Sequence, residues 1–216
     1  LKSVILPAEA GYIYDESRWR YRVKRKIILL SLSLLIVTGM MLASCGTATT
    51  TTSQSVITTS AGPTALTVTN GSQVKTYSMS QIQNDNVVNG WGGEKTQDGT
   101  IVGPYPYIAV LLTDIIYPVG GVTAGESVKL TSANGSSTTL TYDQVVNGNF
   151  NIYNSTGSQI TTATKPTICI IFSQNGSPLV GSTGPLELGT LSNLNFITDG
   201  SMWLSNVQKI DIVPAQ

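Results

Sequence analysis

Five Asn-Gly pairs punctuate this chain: Asn70-Gly71, Asn89-Gly90, Asn134-Gly135, Asn147-Gly148 and Asn175-Gly176. The pair accepts the positive φ angles of tight turns, so each marks a place where the chain reverses or an element stops. Two of them lie between alternating apolar runs. "ALTVT" carries Leu66 and Val68 ahead of Asn70, and Val74 follows the turn. "SVKLTSA" carries Val128 and Leu130, with Leu140 and Tyr142 beyond Asn134-Gly135. Both read as antiparallel hairpins. "TICIIFS" is a continuous apolar run of strand length, which predicts a central strand covered on both faces. "NVQKIDIV" reads as a closing strand through Val207, Ile210 and Ile212.

Helical patterning is scarcer. "PYIAVLLTDIIYP" places Ile108, Leu111, Leu112, Ile115 and Ile116 at helical spacing. Pro106 suits the first turn of such a helix and Pro118 falls beyond its end. "SMSQIQN" predicts a short helix capped by Ser78 or Ser80, and "TYDQVVNG" another, closed by Asn147-Gly148. Strands with a few short helices between them predict the α+β class, as one mixed-sheet domain over 65–216. About 150 residues suffice for a single hydrophobic core.

The N-terminal part follows a different plan. Lys24, Arg25 and Lys26 precede an apolar run from Ile27 to Ala43, and the run stops at Cys45. Its length suits a signal-peptide core better than a membrane span. The sequence "LASC", from Leu42 to Cys45, resembles the lipobox of bacterial lipoproteins. That resemblance implies a leader over 23–44, cleavage before Cys45, and a diacylglycerol on its thiol. Cys45 is then the lipidation site, membrane lipid the first partner, and the location extracytoplasmic. The tract "GTATTTTSQSVITTSAGPT" is small and uncharged, so 45–64 reads as a flexible tether. Residues 1–22 are expected to be a mis-assigned extension, since a leader starting at Val23 already carries its basic residues.

Charge and composition then exclude several function classes. The chain has 12 basic and 12 acidic residues and no histidine. Seven of the basic residues and three of the acids precede Cys45, which leaves five lysines against nine acids, a net charge of −4. An acidic domain without arginine is a poor nucleic-acid binder. Without histidine the commonest general base and zinc ligand are missing. Cys169 has no second thiol to pair with once Cys45 is lipidated, and its apolar setting in "TICIIF" predicts a buried structural thiol.

The order of the segments after residue 65 carries a second resemblance. "PYIAVLLTDII" is followed by "GESVKLTSANGSSTTLTYDQV", then "ICIIFSQNGSPL", "GPLELGT" and "MWLSNVQKIDIV". This order resembles the oxidoreductase molybdopterin-binding domain, the sulfite-oxidase fold. The resemblance implies a molybdenum centre held by one cysteine thiolate, with the pterin phosphate held by histidine and arginine. The segment where that thiol would fall, "NDNVVNGWGGEKTQDGTIVGPYPY", contains no cysteine. Glu187 in "GPLELG" stands where the family carries a basic residue. The expectation is therefore a domain that has lost its cofactor and binds or scaffolds, with no catalytic residue and no metal. The alternative is a molybdopterin-dependent oxidoreductase with atypical ligation, and a purely structural envelope protein is a further one.

The same segment is the candidate binding edge. Trp91, Tyr105 and Tyr107 flank Gly92, Gly93 and further glycines, with Glu94, Lys95 and Asp98 between them. Aromatic residues in a flexible polar loop suit stacking on a ligand ring or packing on a partner protein, or they fold back onto the core. Glycines allow close backbone approach. The net charge of −4 favours a neutral polar ligand over a polyanion. Tyr117 and Trp203 are expected to pack in the core or at its rim.

Overall fold

The computed structural model describes residues 62–215 and the backbone of 56–57. The extension at 1–22, the leader at 23–44, Cys45 and most of the tether lie outside the described residues. Fifteen strands appear among those described: β1 (Val56–Ile57), β2 (Thr64–Asn70), β3 (Gln73–Ser78), β4 (Val87–Lys95), β5 (Ile101–Leu111), β6 (Glu126–Ser132), β7 (Ser137–Thr141), β8 (Ile152–Tyr153), β9 (Gln159–Ile160), β10 (Thr167–Gln174), β11 (Ser177–Pro178), β12 (Glu187–Leu191), β13 (Ile197–Asp199), β14 (Leu204–Ser205) and β15 (Val207–Pro214). The helices are α1 (Met79–Gln83), α2 (Leu112–Ile116) and α3 (Tyr142–Asn147).

The strands form two mixed sheets. One runs β1-β3-β2-β15-β6-β7 and the other β14-β12-β10-β5-β4-β13-β8-β9, with β11 on β10. The main core lies between them. Leu66, Val68, Val128, Leu130, Ile210 and Ile212 of the first sheet meet Ile168, Ile170 and Leu188 of the second. A smaller cluster of Tyr107, Ala109, Cys169, Ile171 and Leu191 lies on the other face of the second sheet. The continuous apolar run of β10 is thereby explained: alternate residues serve the two clusters, and the strand is central between β5 and β12. The Cys169 thiol is fully buried and donates to the Thr167 carbonyl, and burial pushes its pKa up to about 12.

The α+β expectation is overturned. Strands take 51% of the described residues and helices 14%, and the curled mixed sheets form a half-barrel. The largest error is at "PYIAVLLTDIIYP", where β5 continues to Leu111 and only Leu112–Ile116 is helical. The physical reason is burial on both faces. Ala109 faces the small cluster while Val110 faces the main core, so apolar residues fall at every position and satisfy helical spacing by coincidence.

Local signals held where they acted alone. The two predicted hairpins form as β2–β3 and β6–β7. Ser78, rather than Ser80, caps α1 in a reciprocal box with Gln81, and Thr141 caps α3 likewise with Gln144. Gly148 closes α3 in the left-handed region at φ +62°. The Asn-Gly pair with both residues at positive φ is Asn175-Gly176, between β10 and β11. Asn70 instead ends β2, and its side-chain amide donates to the Val119 carbonyl at 3.1 Å.

Gly189 tests the inner packing. A Cβ there would sit 2.5 Å from the Trp203 ring and 2.7 Å from Ile171 Cδ1. Gly189→Ala is expected to destabilise the domain by about 1–3 kcal/mol or more. A chemical denaturation midpoint equal to wild type would disprove this close approach.

Candidate functional site

The segment expected to be a flexible loop is a β-hairpin. β4 and β5 pair from Val87↔Val110 to Lys95↔Ile101, with a register shift between Gly92 and Glu94. The turn is tied by Asp98, whose carboxylate accepts from the Thr96 hydroxyl, the Thr100 amide at 3.3 Å and the Thr100 hydroxyl at 3.1 Å. Those donors, the Thr96 hydroxyl foremost, hold the Asp98 carboxyl below its ordinary range. Lys95 is also occupied. Its ammonium donates to the Gly157 carbonyl at 3.0 Å and lies 4.5 Å from the Tyr153 ring centre, so it fastens the short β8–β9 hairpin.

The three aromatic residues do not share a face. Trp91 stands opposite Pro106, and Gly92 opposite Tyr105. Side chains alternate along a strand, so Trp91 points away from the side occupied by Tyr105 and Tyr107. Trp91 and Tyr105 stay exposed at 42% and 38%, whereas Tyr107 is buried. The Tyr107 hydroxyl accepts from the Gln174 amide at 3.3 Å, and its ring lies 5.7 Å from that of Trp203. Tyr117, expected at the core or its rim, is 70% exposed, while Trp203 packs against both apolar clusters.

Gly92 and Gly93 are buried, and the space above them is filled by protein. A Cβ on Gly92 would collide with the Thr190 carbonyl and lie 3.1 Å from Trp203, and one on Gly93 would lie 2.5 Å from Ile197 Cδ1. The Trp203 indole N–H donates to the Thr198 hydroxyl at 3.0 Å, which in turn bonds the Thr190 hydroxyl at 2.9 Å. The same region holds two half-buried carboxyls. Burial pushes Glu187 up to about 7, with Glu94 adding to the shift and the Ser205 hydroxyl, 3.0 Å away, opposing it. Burial raises Glu94 as well. Tyr107 is raised by its own burial and then by the charges of Glu187 and Glu94.

A groove of about 430 Å³ opens where Trp91 reaches solvent. Asn89, Gly90, Trp91, Pro106 and Tyr107 line it from the hairpin, and Asn193 lines it from the segment after β12. The groove is positioned by two backbone bonds: Trp91 N–H donates to the Ser192 carbonyl at 2.8 Å, and Ser192 N–H to the Trp91 carbonyl at 2.9 Å. No charged side chain lines it. Sequence reading missed Asn193, which lies about a hundred residues from Trp91 and carries no local signal. In the sequence Asn89 reads as half of a turn pair at the start of the candidate edge, and Glu187 stands out only for its sign.

These residues do not fit a molybdenum–pterin group. Among the described residues the one cysteine, Cys169, is sealed in the core with its thiol raised. Lys95 is committed to Gly157 and Tyr153, and Glu94 and Glu187 place carboxyls on the inner side. Among the described residues there is no group of three or more histidine, cysteine, aspartate or glutamate side chains placed to hold a metal. Compared with known proteins, the chain matches no family model and no curated sequence.

Two outcomes follow from this geometry. Tyr107→Ala is expected to cost about 3–5 kcal/mol, as for other buried aromatic side chains. Trp91→Ala, at an exposed position, should stay within about 1 kcal/mol of wild type; thermal melts of both variants check the division. Glu187 supplies the pH dependence. Its folded value of about 7 lies above the ordinary 4.5, so the folded state holds the extra proton and stability falls as pH rises between those values. The melting temperature should therefore be lower at pH 8 than at pH 6, and Glu187→Gln should raise it at pH 8 and flatten the profile. An unchanged profile in that variant would show the carboxyl to be solvated.

Proposed function

We propose that this protein is a binding module held outside the cytoplasm by acylated Cys45, related to the molybdopterin-binding oxidoreductases but no longer a carrier of their cofactor. The observation that carries this reading is the uncharged groove beside half-exposed Trp91. Ligand sites of small molecules fall roughly between 300 and 1,000 Å³, and the groove volume lies in that range. Its ligand is a neutral polar small molecule or an uncharged patch on a protein partner.

Three lines support this reading over a redox enzyme. The inner side of the half-barrel carries carboxyls where a polyanionic pterin phosphate would need cations. Lys95, which could supply one, is spent on holding a neighbouring hairpin. The hydroxyl groups of Thr190 and Thr198 are satisfied by each other and by Trp203. The lipid anchor is supported by the "LASC" sequence and by the uncharged tether behind it, which lets a folded domain stand off a membrane surface.

One preparation tests the reading. Cells grown with molybdate and labelled palmitate should yield protein that carries the label and lacks stoichiometric molybdenum, while Cys45→Ala should lose the label. Molybdenum at one atom per chain would overturn the loss of cofactor. Undiminished label on Cys45→Ala would overturn the anchor.

A further inference from the structure

We infer that the groove at Trp91 takes a neutral carbohydrate, one or a few sugar units of a longer chain. This inference rests on the reading of the groove as the binding site and adds the chemical class of its occupant. It starts from polar groups left without partners. Among the described residues, the Trp91 indole N–H and the side-chain amides of Asn89 and Asn193 form no hydrogen bond within the protein. Most other asparagine side chains are used internally, among them Asn70 on Val119, Asn149 on Asp143, Asn154 on Thr156 and Asn206 on Ser182.

The chemistry of these groups narrows the ligand. An anion finds no ammonium or guanidinium among the lining residues, and a cation finds no carboxylate. A wholly apolar ligand would cover two amides and an indole N–H without replacing their bonds to water, at a cost for each. A sugar ring meets both demands. Its C–H face lies on the indole plane as other apolar surfaces do, and its hydroxyls give and accept hydrogen bonds, as each carboxamide also does.

An extended peptide fits less well. Peptides that add to a sheet need a free row of backbone donors and acceptors. Here the outer edge of β4 is interrupted at the groove, because Trp91 has spent both its N–H and its carbonyl on Ser192, and β5 is closed between β4 and β10. Recognition at this place therefore falls to side chains. The groove is also open to solvent, which leaves room for a chain to continue beyond it.

The acylated full-length protein, in a detergent without a sugar head group, would be titrated with cellohexaose, mannohexaose, maltohexaose and N-acetylchitohexaose. Parallel arms use a sulfated hexaose, uncharged nucleosides and a neutral hexapeptide. At least one neutral hexaose should shift the tryptophan fluorescence. Trp91→Ala should weaken that binding about tenfold or more, and Asn89→Ala severalfold, with the melting temperature within a degree or two of wild type. Equal binding of the sulfated sugar would overturn the inference. Trp91-dependent binding of a nucleoside or the peptide, with none of the sugars, would overturn the carbohydrate class and leave the groove as the site. No Trp91-dependent binding in any arm would overturn both.

Discussion

The Trp203 indole, lodged over the backbone of Gly189 and Gly92, is the contact on which the rest of the domain depends. A ring of that size can lie against two strands only where they carry no side chain. Glycines at both positions remove that obstacle, and the indole N–H, which burial would otherwise leave unsatisfied, finds Thr198 and through it Thr190. Trp203 belongs to the packing of both apolar clusters, so it joins the main core to the inside of the half-barrel. By holding β12 close to β4 it allows Trp91 and Ser192 to exchange backbone bonds. Beside that exchange, Asn193 and Asn89 line the same groove.

The sequence told most where a signal was local. Helix caps at Ser78 and Thr141, turns at Gly71 and Gly135, and the all-buried strand from Thr167 each depend on residues within a few positions of one another. Two features were illegible for a common reason: they are decided by distant segments. β5 looks helical because its two faces are buried in different clusters, Val110 in the main core and Ala109 in the smaller one, and nothing within "PYIAVLL" records them. Gly92 and Gly93 look like the glycines of a flexible loop, yet they serve as a seat for Trp203 and Ile197, more than a hundred residues on in the chain. The polar, glycine-rich surroundings of Trp91 mark it out in the sequence, and the structure leaves its ring partly exposed. Tyr107 came from the same surroundings and lies in the core, because strand alternation, invisible in a segment read as loop, sends it inward.

The two sides of the β4–β5 hairpin are electrostatically distinct, and the distinction bears on function. Inside, Glu94 and Glu187 sit in partly desolvated positions near Tyr107, where each ionised carboxyl raises the cost of charging the next. Any anion entering there would meet negative charge in a medium that screens it poorly. Outside, the groove carries no charge, and the domain's acids act on it only across water and salt, where fields fade over about 10 Å at 0.1 M ionic strength. Selectivity at the groove must then come from shape, stacking and hydrogen bonding. Such a site discriminates by leaving the wrong ligand's partners unpaired, since buried amides that gain no bond are a penalty each. If the groove binds as proposed, the spacing of the Trp91 ring, the Asn89 amide and the Asn193 amide is its specificity element. On the proposed reading, that spacing depends at a distance on the packing of Trp203 over Gly189 and Gly92.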